Sequence, residues 1–562
     1  MSSFGGLYVG SSGLKTSQNA LNTTAHNLVN VNTKGYTRQQ VYLAELAPNS
    51  VGASSISMMQ AGLGVSFDEA RQVRDVFLDK FYRTENGREA FYKSAYAAVN
   101  EIEMYFGELE GVAFQNSVLD LYQAMEEWDK IPDDPNNLSL VILKASEFVE
   151  RANSVYEGIK EYQRDINEDI DQQVNRINEI GRQIVSLNKE IMKIESAGIE
   201  KADDLRDTRN TLLDELSSYI SIDYEELLDG VVVVKTEGEY FVTRSGCNEM
   251  DTYLDTFTEF LIPVWAHLAK EGEAIYEHPV FDYSHGISSE KNSDIGSLKA
   301  MVLARGSDYA TYRDITGLSS SEYTEGLQMR TMMNIEAEFD QFIHNIVTSI
   351  NDLLSPTKEI TDDLGNVYRV WDEENAPLGA DGKGPGEELF VRSATPRYKE
   401  MSLTVNGRKE IFYVYNEEDL GLIDTMYTIS GLGVNKKLLE DESVLPHLKK
   451  NGGVDFDLTS AMVNLFQERS MNLNPTDNTK LTILEYYQNM TNMLASEGET
   501  YRSKETTIHG TVESISNKRH QVVGVSSDEE LTNMIKFQNA YNASSRYINV
   551  VNEMIEHLIT RL

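Results

Sequence analysis

Four side chains in one short stretch, Glu277, His278, Asp282 and His285, are of the types that bind divalent cations. Imidazole nitrogens and carboxylate oxygens suit such ions. Their placement reads more simply as exposed polar residues on a loop of a β-rich region, so no metal site is assigned. Cys247, the single cysteine, follows Ser245-Gly246 with no neighbour that would activate a thiol, and reads as a small packed residue. Gly379 to Gly386, GADGKGPG, carries one lysine but is too short and proline-broken to cradle a phosphate. Asp362-Asp363-Leu364-Gly365-Asn366 lacks the alternating ligands and closing glutamate of a calcium loop. No His-Glu-x-x-His helix, Gly-x-x-x-x-Gly-Lys-Ser/Thr loop or Gly-x-Ser-x-Gly elbow occurs. The expectation is no enzyme and no cofactor. The alternative is a metal-binding hydrolase or adhesin domain within 217–300 or 360–430.

A chain without catalytic groups works through its surfaces, and composition narrows which. At 562 residues it is long enough for two to four domains. Ninety acidic against fifty basic side chains give a net charge of −40, which argues against binding phosphates or an anionic membrane surface. One cysteine excludes an intrachain disulfide framework. No run of about 18 apolar residues is present, so no bilayer-spanning helix is expected. Met1 to Gly13, MSSFGGLYVGSSG, has neither the basic region nor the apolar run of a secretory signal. The protein either stays in the cytoplasm or leaves by a route that does not read such a signal.

Period supplies the architecture. Leu7, Leu14, Leu21 and Leu28 recur every seven residues, with Gly10, Ser17, Thr24 and Val31 three positions on. That is a helical heptad with a thin apolar seam, and Gly35 suits a left-handed stop after it. At the other end Met534, Tyr541, Ile548, Ile555 and Leu562 share one heptad position, and Phe537, Ser544, Val551 and Leu558 the other. Ser527 before Asp528-Glu529-Glu530 suits an N-cap. Four leucines cannot offset the ordering of a 30-residue helix. The N-terminal helix must therefore pair with the C-terminal one, with neighbouring subunits, or both, and its near lack of charge favours burial between molecules. Three further heptads run over 77–105, 159–194 and 484–522, with Gly498 a point where the last could break. They predict long helices packed as a coiled-coil bundle drawn from both halves of the chain. A helix is expected over 327–354. Alternating residues at 219–224, 231–234 and 240–244, and a hairpin at Asn406-Gly407, predict β-rich insertions, with loops at 360–388 and 430–455.

The fold class expected is therefore mainly α with β-rich insertions. Terminal segments 1–45 and 525–562 pair as an assembly core, mobile in the monomer. Segments 46–359 and 431–524 form a discontinuous helical shaft with a β-rich subdomain at about 217–300. Segment 360–430 is an outer β-rich domain.

Ala20 to Gln39, ALNTTAHNLVNVNTKGYTRQ, resembles the N-terminal signature of the rod, hook and hook-associated proteins of the bacterial flagellum, and Asp528 to Leu558 resembles their C-terminal signature. Asn27, Asn30, Asn32, Gly35, Tyr36, Phe537, Gln538 and Tyr541 carry the likeness, while His26, Val29 and Lys34 depart from it. Phe106 to Asn137 and Leu140 to Tyr156 resemble the helical region of the branch found at the hook–filament junction. The resemblance implies a self-associating structural subunit, exported from the cytoplasm by the flagellar type III apparatus without a cleaved signal peptide. It implies as partners the hook protein, hook-associated protein 3 and a cytoplasmic chaperone on the C-terminal helix, with no nucleic acid and no membrane insertion. The place implied is the extracellular flagellum, and another axial subunit is the alternative.

Overall fold

The computed structural model describes residues 3–33, 35–46, 49–53, 58–107, 113–196, 201–270, 272–283 and 286–561. Ten helices of nine residues or more carry the described part: α1 Ser3–Val29, α2 Val76–Phe106, α3 Phe114–Lys130, α4 Pro135–Glu195, α5 Asp203–Tyr219, α6 Ser297–Arg305, α7 Thr331–Leu354, α8 Phe456–Gln467, α9 Ile483–Val523 and α10 Ser527–Arg561. Their starts follow local chemistry. Asp75 accepts from the Phe77 and Leu78 amides to open α2, and Gly107, left-handed at φ 70°, closes it. Asp134 caps α4 with Pro135 in the first helical position, and α4 then runs 61 residues. Thr482 and Glu485 cap each other's amides to begin α9.

The shaft draws on both halves of the chain. Ring centroids of Phe106 on α2 and Phe339 on α7 lie 5.3 Å apart, those of Phe114 on α3 and Phe339 5.0 Å, and those of Phe342 and Tyr486 on α9 5.3 Å. Such edge-to-face and stacked pairs add about 0.5–1.5 kcal/mol each to area burial. Along α4, Ile159, Ile166, Ile170, Val174, Ile177, Ile180, Ile184 and Ile191 are all buried, as their 3.5-residue period predicts.

Two parts of the heptads behave differently. Phe77 and Phe81, expected in the seam of α2, are 78% and 44% exposed, whereas Asp79, Arg83 and Arg88 are buried. The inside of that first half is ionic: Arg83 donates to Asp214 at 2.7 Å, Arg74 pairs with Asp79 at 2.9 Å, and Arg519 of α9 reaches Asp79 and Asp214 at 2.8 and 2.9 Å. Gly498 does not interrupt α9. It marks the closest approach to α2, since a Cβ there would lie 2.8 Å from Val99 Cγ1.

The strands are small and antiparallel. β1 Gln39–Glu45 pairs with β4 Val65–Gln72, with a smaller hairpin, β2 Asn49–Ala53 and β3 Met58–Ala61, between them. This 39–72 unit was not anticipated. β5 Ile222–Glu226, β6 Val232–Thr236 and β7 Glu239–Val242 form the predicted meander, followed by the pair β8 Asp251–Leu254 and β9 Leu261–Val264. Farther on, β10 Thr357–Thr361, β11 Val367–Trp371, β13 Tyr398–Val405 and β14 Arg408–Tyr415 make a four-stranded sheet in the order 10-11-14-13. β12 Phe390–Arg392 pairs with β15 Leu432–Val434. Asn406 and Gly407 turn the β13–β14 hairpin with φ of 53° and 73°. The stretch 360–388, expected as loop, contains β11, where Tyr368 and Val370 share one face of a strand paired with β10 and Val370 is buried.

α7 buries three acids, Glu336, Glu338 and Asp340, each no more than 1% exposed. Burial lifts their pKa values to about 8, 7 and 6. Asp340 accepts from the Tyr312 and Ile429 amides, while one oxygen of Glu336 has no partner. An acid whose folded pKa is raised stabilises the fold below that value and loses the contribution as pH rises through it, by up to about 1.4 kcal/mol per pH unit per group. Stability to urea is therefore expected to fall between pH 5 and 8, and Glu336→Gln should flatten that slope. A separate pair of substitutions tests the α2–α9 contact. Gly498→Leu should cost about 1–3 kcal/mol, while Gly510→Ala, with open space around it, should gain up to about 1 kcal/mol.

Candidate assembly helices and their joint

α1 and α10 lie side by side and antiparallel. A Cβ at Gly6 would meet Val551 at 3.3 Å, one at Gly10 would meet Ile548 at 2.6 Å, and one at Gly13 would meet Ser544 at 2.8 Å. The buried face of α1 is the row Gly6, Gly10, Ser17, Ala20, Thr24 and Asn27. The leucine heptad flanks that row: Leu7, Leu14, Leu21 and Leu28 are half-buried. This corrects the expected seam. Backbones approach where side chains are absent, so small residues take the centre of the contact and leucines close its edges. On α10 the inward row is Met534, Phe537, Tyr541, Ile548, Val551 and Ile555, as the heptad predicts. Leu558 is 52% exposed and outside it, and Leu562 lies outside the described residues.

A second cover on α1 comes from the 39–72 hairpin. Thr16 donates to the Val65 carbonyl at 3.2 Å, and Gly64 comes against Val9 and Ser12 closely enough that a Cβ would lie 3.3 Å from Val9 Cα. Contrary to the expectation of burial chiefly between molecules, α1 finds two partners within its own chain.

The residues after α1 form a joint with the shaft. Asn27, 1% exposed, donates to the Gln39 carbonyl at 2.9 Å and accepts from the Gln39 amide and the Tyr36 hydroxyl at 3.0 and 2.7 Å. Burial and the nearby Asp204 and Asp207 raise the Tyr36 pKa, which keeps its proton available to Asn27. Thr37 donates its amide and hydroxyl to Asp207 of α5 at 2.8 and 2.5 Å. Arg38 donates to Glu530 at 3.0 Å and pairs with Glu529 at 3.0 Å, while its amide meets the Val523 carbonyl at 2.9 Å. One arginine thus ties the first segment, the end of α9 and the start of α10. Gly35 takes the left-handed conformation expected, φ 83°, but six residues past the end of α1, where a Cβ would lie 2.6 Å from Thr211 Oγ1. The cap of α10 is Ser526, whose hydroxyl accepts from the Glu529 amide at 3.4 Å, one residue before the expected Ser527.

Other sequence candidates are dispersed. His278 meets Glu273 at 3.3 Å, and His285 lies outside the described residues. Among the described residues the His, Cys, Asp and Glu side chains close enough to share an ion are Glu89, Glu505 and His509. They join α2 to α9, and the signal was an i, i+4 Glu-His pair in the weak half of the last heptad. Cys247 packs on Gly181, and burial pushes its thiol up to about 12. GADGKGPG forms part of the wall of a cavity of about 960 Å³. Lys437 and Arg397, also in that wall, are paired with Glu387 and Asp352 at 2.5 and 2.6 Å.

Three family models match the chain: flagella basal body rod protein over residues 7–37, the flagellar hook-associated protein FlgK helical domain over 99–366, and the C-terminal part of the flagellar basal body rod FlgEFG protein over 521–561. Flagellar hook-associated protein 1 of Bacillus subtilis is 24% identical over 570 residues, covering 99% of this chain and 98% of that one. The chain belongs to the flagellar hook-associated protein 1 family. Relatives of the same name from Salmonella typhimurium and Escherichia coli are each 20% identical, over 98% of both chains. The solved flagellar hook junction protein FlgK from Burkholderia pseudomallei shares the fold, with a TM-score of 0.52 and 10% identity over 80% of this chain and all of that one. The two rod-type matches fall on α1 with the joint and on α10, and the FlgK helical domain falls on the shaft. Of the residues carrying the signatures, Asn27, Gly35 and Tyr36 build the joint. Asn30 donates to the His26 carbonyl at 3.1 Å, Phe537 and Tyr541 face α1, and Asn32 and Gln538 are exposed.

Two substitutions test this arrangement by hydrogen exchange. Asn27→Ala leaves the Gln39 amide and the Tyr36 hydroxyl without their acceptor, at a cost of about 1–3 kcal/mol, and should speed exchange across 20–45 while sparing α4. Gly10→Leu should separate α1 from α10 and speed exchange in both. Unchanged protection in both variants would contradict the contacts described.

Proposed function

We propose that this hook-associated flagellar subunit joins the hook to the filament, building into a tubular assembly through α1 and α10 paired as a coiled coil. The observation that carries the reading is the face of α10 turned away from α1. Leu531, Ile535, Val550, Met554 and Leu558, set away from the α1 contact, are 46–60% exposed on a chain with net charge −40. Val550, Met554 and Leu558, each one turn from the next, form an apolar stripe, and such a stripe on so charged a chain is an interaction surface. The partners proposed are further copies of the chain, the hook protein on one side and hook-associated protein 3 on the other. In this reading, segments 1–45 and 525–562 are the assembly core, paired already within the subunit and covered further in the polymer. Segments 46–359 and 431–524 are the shaft, and 360–430 is an outer domain. Export is through the flagellar type III apparatus in an unfolded state, for which a chain without disulfides is suited, and a cytoplasmic chaperone covers the stripe on α10 beforehand. The full-length likeness to hook-associated protein 1 supports this identity over another axial subunit.

Deletion of the chain in its own host should leave bare hooks in electron micrographs and flagellin in the medium. Normal filaments would reject the junction role. Complementation with Val550→Asp/Met554→Asp should restore a secreted, folded protein with native helix content but no filaments, because the charges enter the outward stripe and not the α1 contact. Filaments of normal number with that variant would show that the stripe is not an assembly surface.

A further inference from the structure

We propose that Glu89 of α2 with Glu505 and His509 of α9 binds one first-row divalent transition ion, of which zinc is the probe, and that the ion staples the two helices together. The donor atoms of the three side chains all lie within 4.8 Å of one another. His509 Nδ1 stands 2.7 Å from Glu89 Oε1, and its Nε2 stands 3.7 Å from Glu513 Oε1. Glu505, His509 and Glu513 are spaced one turn apart, so α9 presents all three on one face, and α2 supplies Glu89 from the facing helix. A tetrahedral ion with bonds of about 2.0–2.2 Å needs donors about 3.3 Å apart. His509, with its side chain 53% exposed, is free to rotate toward the two glutamates to close that difference.

The chemistry of the donor set selects the ion. One imidazole with two carboxylates suits zinc and its neighbours better than magnesium or calcium, which prefer oxygen throughout, or the soft ions that take thiolates. Water would fill the fourth position, and Glu513, beside Nε2, would accept the proton of that ring nitrogen and hold the imidazole in place. The electrostatics point the same way. Among the described residues, the ion pairs of Glu89 and Glu513 are with His509 alone. Lys504, the nearest lysine along the helix, sends its ammonium to the Tyr92 ring instead, 4.7 Å from the centroid. Three carboxylates around one imidazole, which is neutral when it ligates, carry a charge of −3 that a divalent cation largely offsets. The position has a mechanical consequence. Beyond Gly498, the buried side chains of α9 are only Val512 and Ile515. This half of the shaft, next to the joint, is held by ion pairs and would gain most from a cross-link.

The test uses the full chain, treated with chelator and then titrated with zinc, and separately with cobalt for its visible spectrum. One saturable ion per chain, a tetrahedral cobalt absorption band and a raised melting temperature are expected. Each should vanish in His509→Ala, and affinity should fall about tenfold or more in Glu89→Gln. His278→Ala, at a histidine distant in sequence, should leave all three unchanged. His509 is exposed and Glu89 half-buried, so the variants are expected to fold, and circular dichroism checks that they do. Absence of saturable binding, or binding that survives His509→Ala, would overturn the proposal and leave His509 and Glu89 as a plain ion pair.

Discussion

The close approach of α1 to α10 is the contact on which the rest of the molecule depends. It joins the two ends of a 562-residue chain, and it forms because the facing side of α1 carries Gly6, Gly10 and Gly13 where a larger side chain would collide with Val551, Ile548 or Ser544. With α10 on one side and the 39–72 hairpin on the other, α1 keeps one exposed face, Tyr8, Ser11, Lys15, Gln18, Asn22 and Val29, which is largely polar. The apolar side chains still facing outward are concentrated on α10. The two helices therefore differ: α1 is seated within the subunit, and α10 carries the exposed apolar side chains.

The pair must also be held at a fixed setting relative to the shaft, and here apolar burial gives way to polar contacts. Asn27, Tyr36, Thr37 and Arg38 connect α1 to α5, α9 and α10 through directional bonds, several of them shielded from water. The network continues through Arg74, Asp79, Arg83, Asp214 and Arg519 in the adjoining half of the shaft. Such groups specify geometry more than they add stability, since burying charge costs much of what pairing returns. The farther half of the shaft is different, with its aromatic cluster of Phe106, Phe114, Phe339, Phe342 and Tyr486.

Much of this was legible in the sequence wherever a period reports directly on burial. α4 and α10 followed their heptads closely, and Asn406-Gly407 fixed its hairpin because both residues tolerate positive φ. Period misled where the buried side chains are not apolar. The first half of α2 hides arginines and aspartates and exposes Phe77 and Phe81, a choice imposed by partners more than a hundred residues away. In α1 the leucines drew attention from the small residues beside them, because absence of a side chain leaves no hydrophobic signal. The signature residues were visible as a pattern, but their role in a joint was not, since Asp207 and Glu530 are brought to Thr37 and Arg38 only by the tertiary fold.

The central claim is that the outward stripe of α10 is covered by neighbouring subunits while α1 stays on its own α10. Electron cryomicroscopy of assembled hook–filament junctions from the native host tests this most directly. The account predicts Val550, Met554 and Leu558 buried against an adjacent copy, with Gly10 still seated on Ile548 of the same chain. A junction in which that stripe faces open solvent, or in which α1 has left its own α10 for a neighbour's, would contradict it.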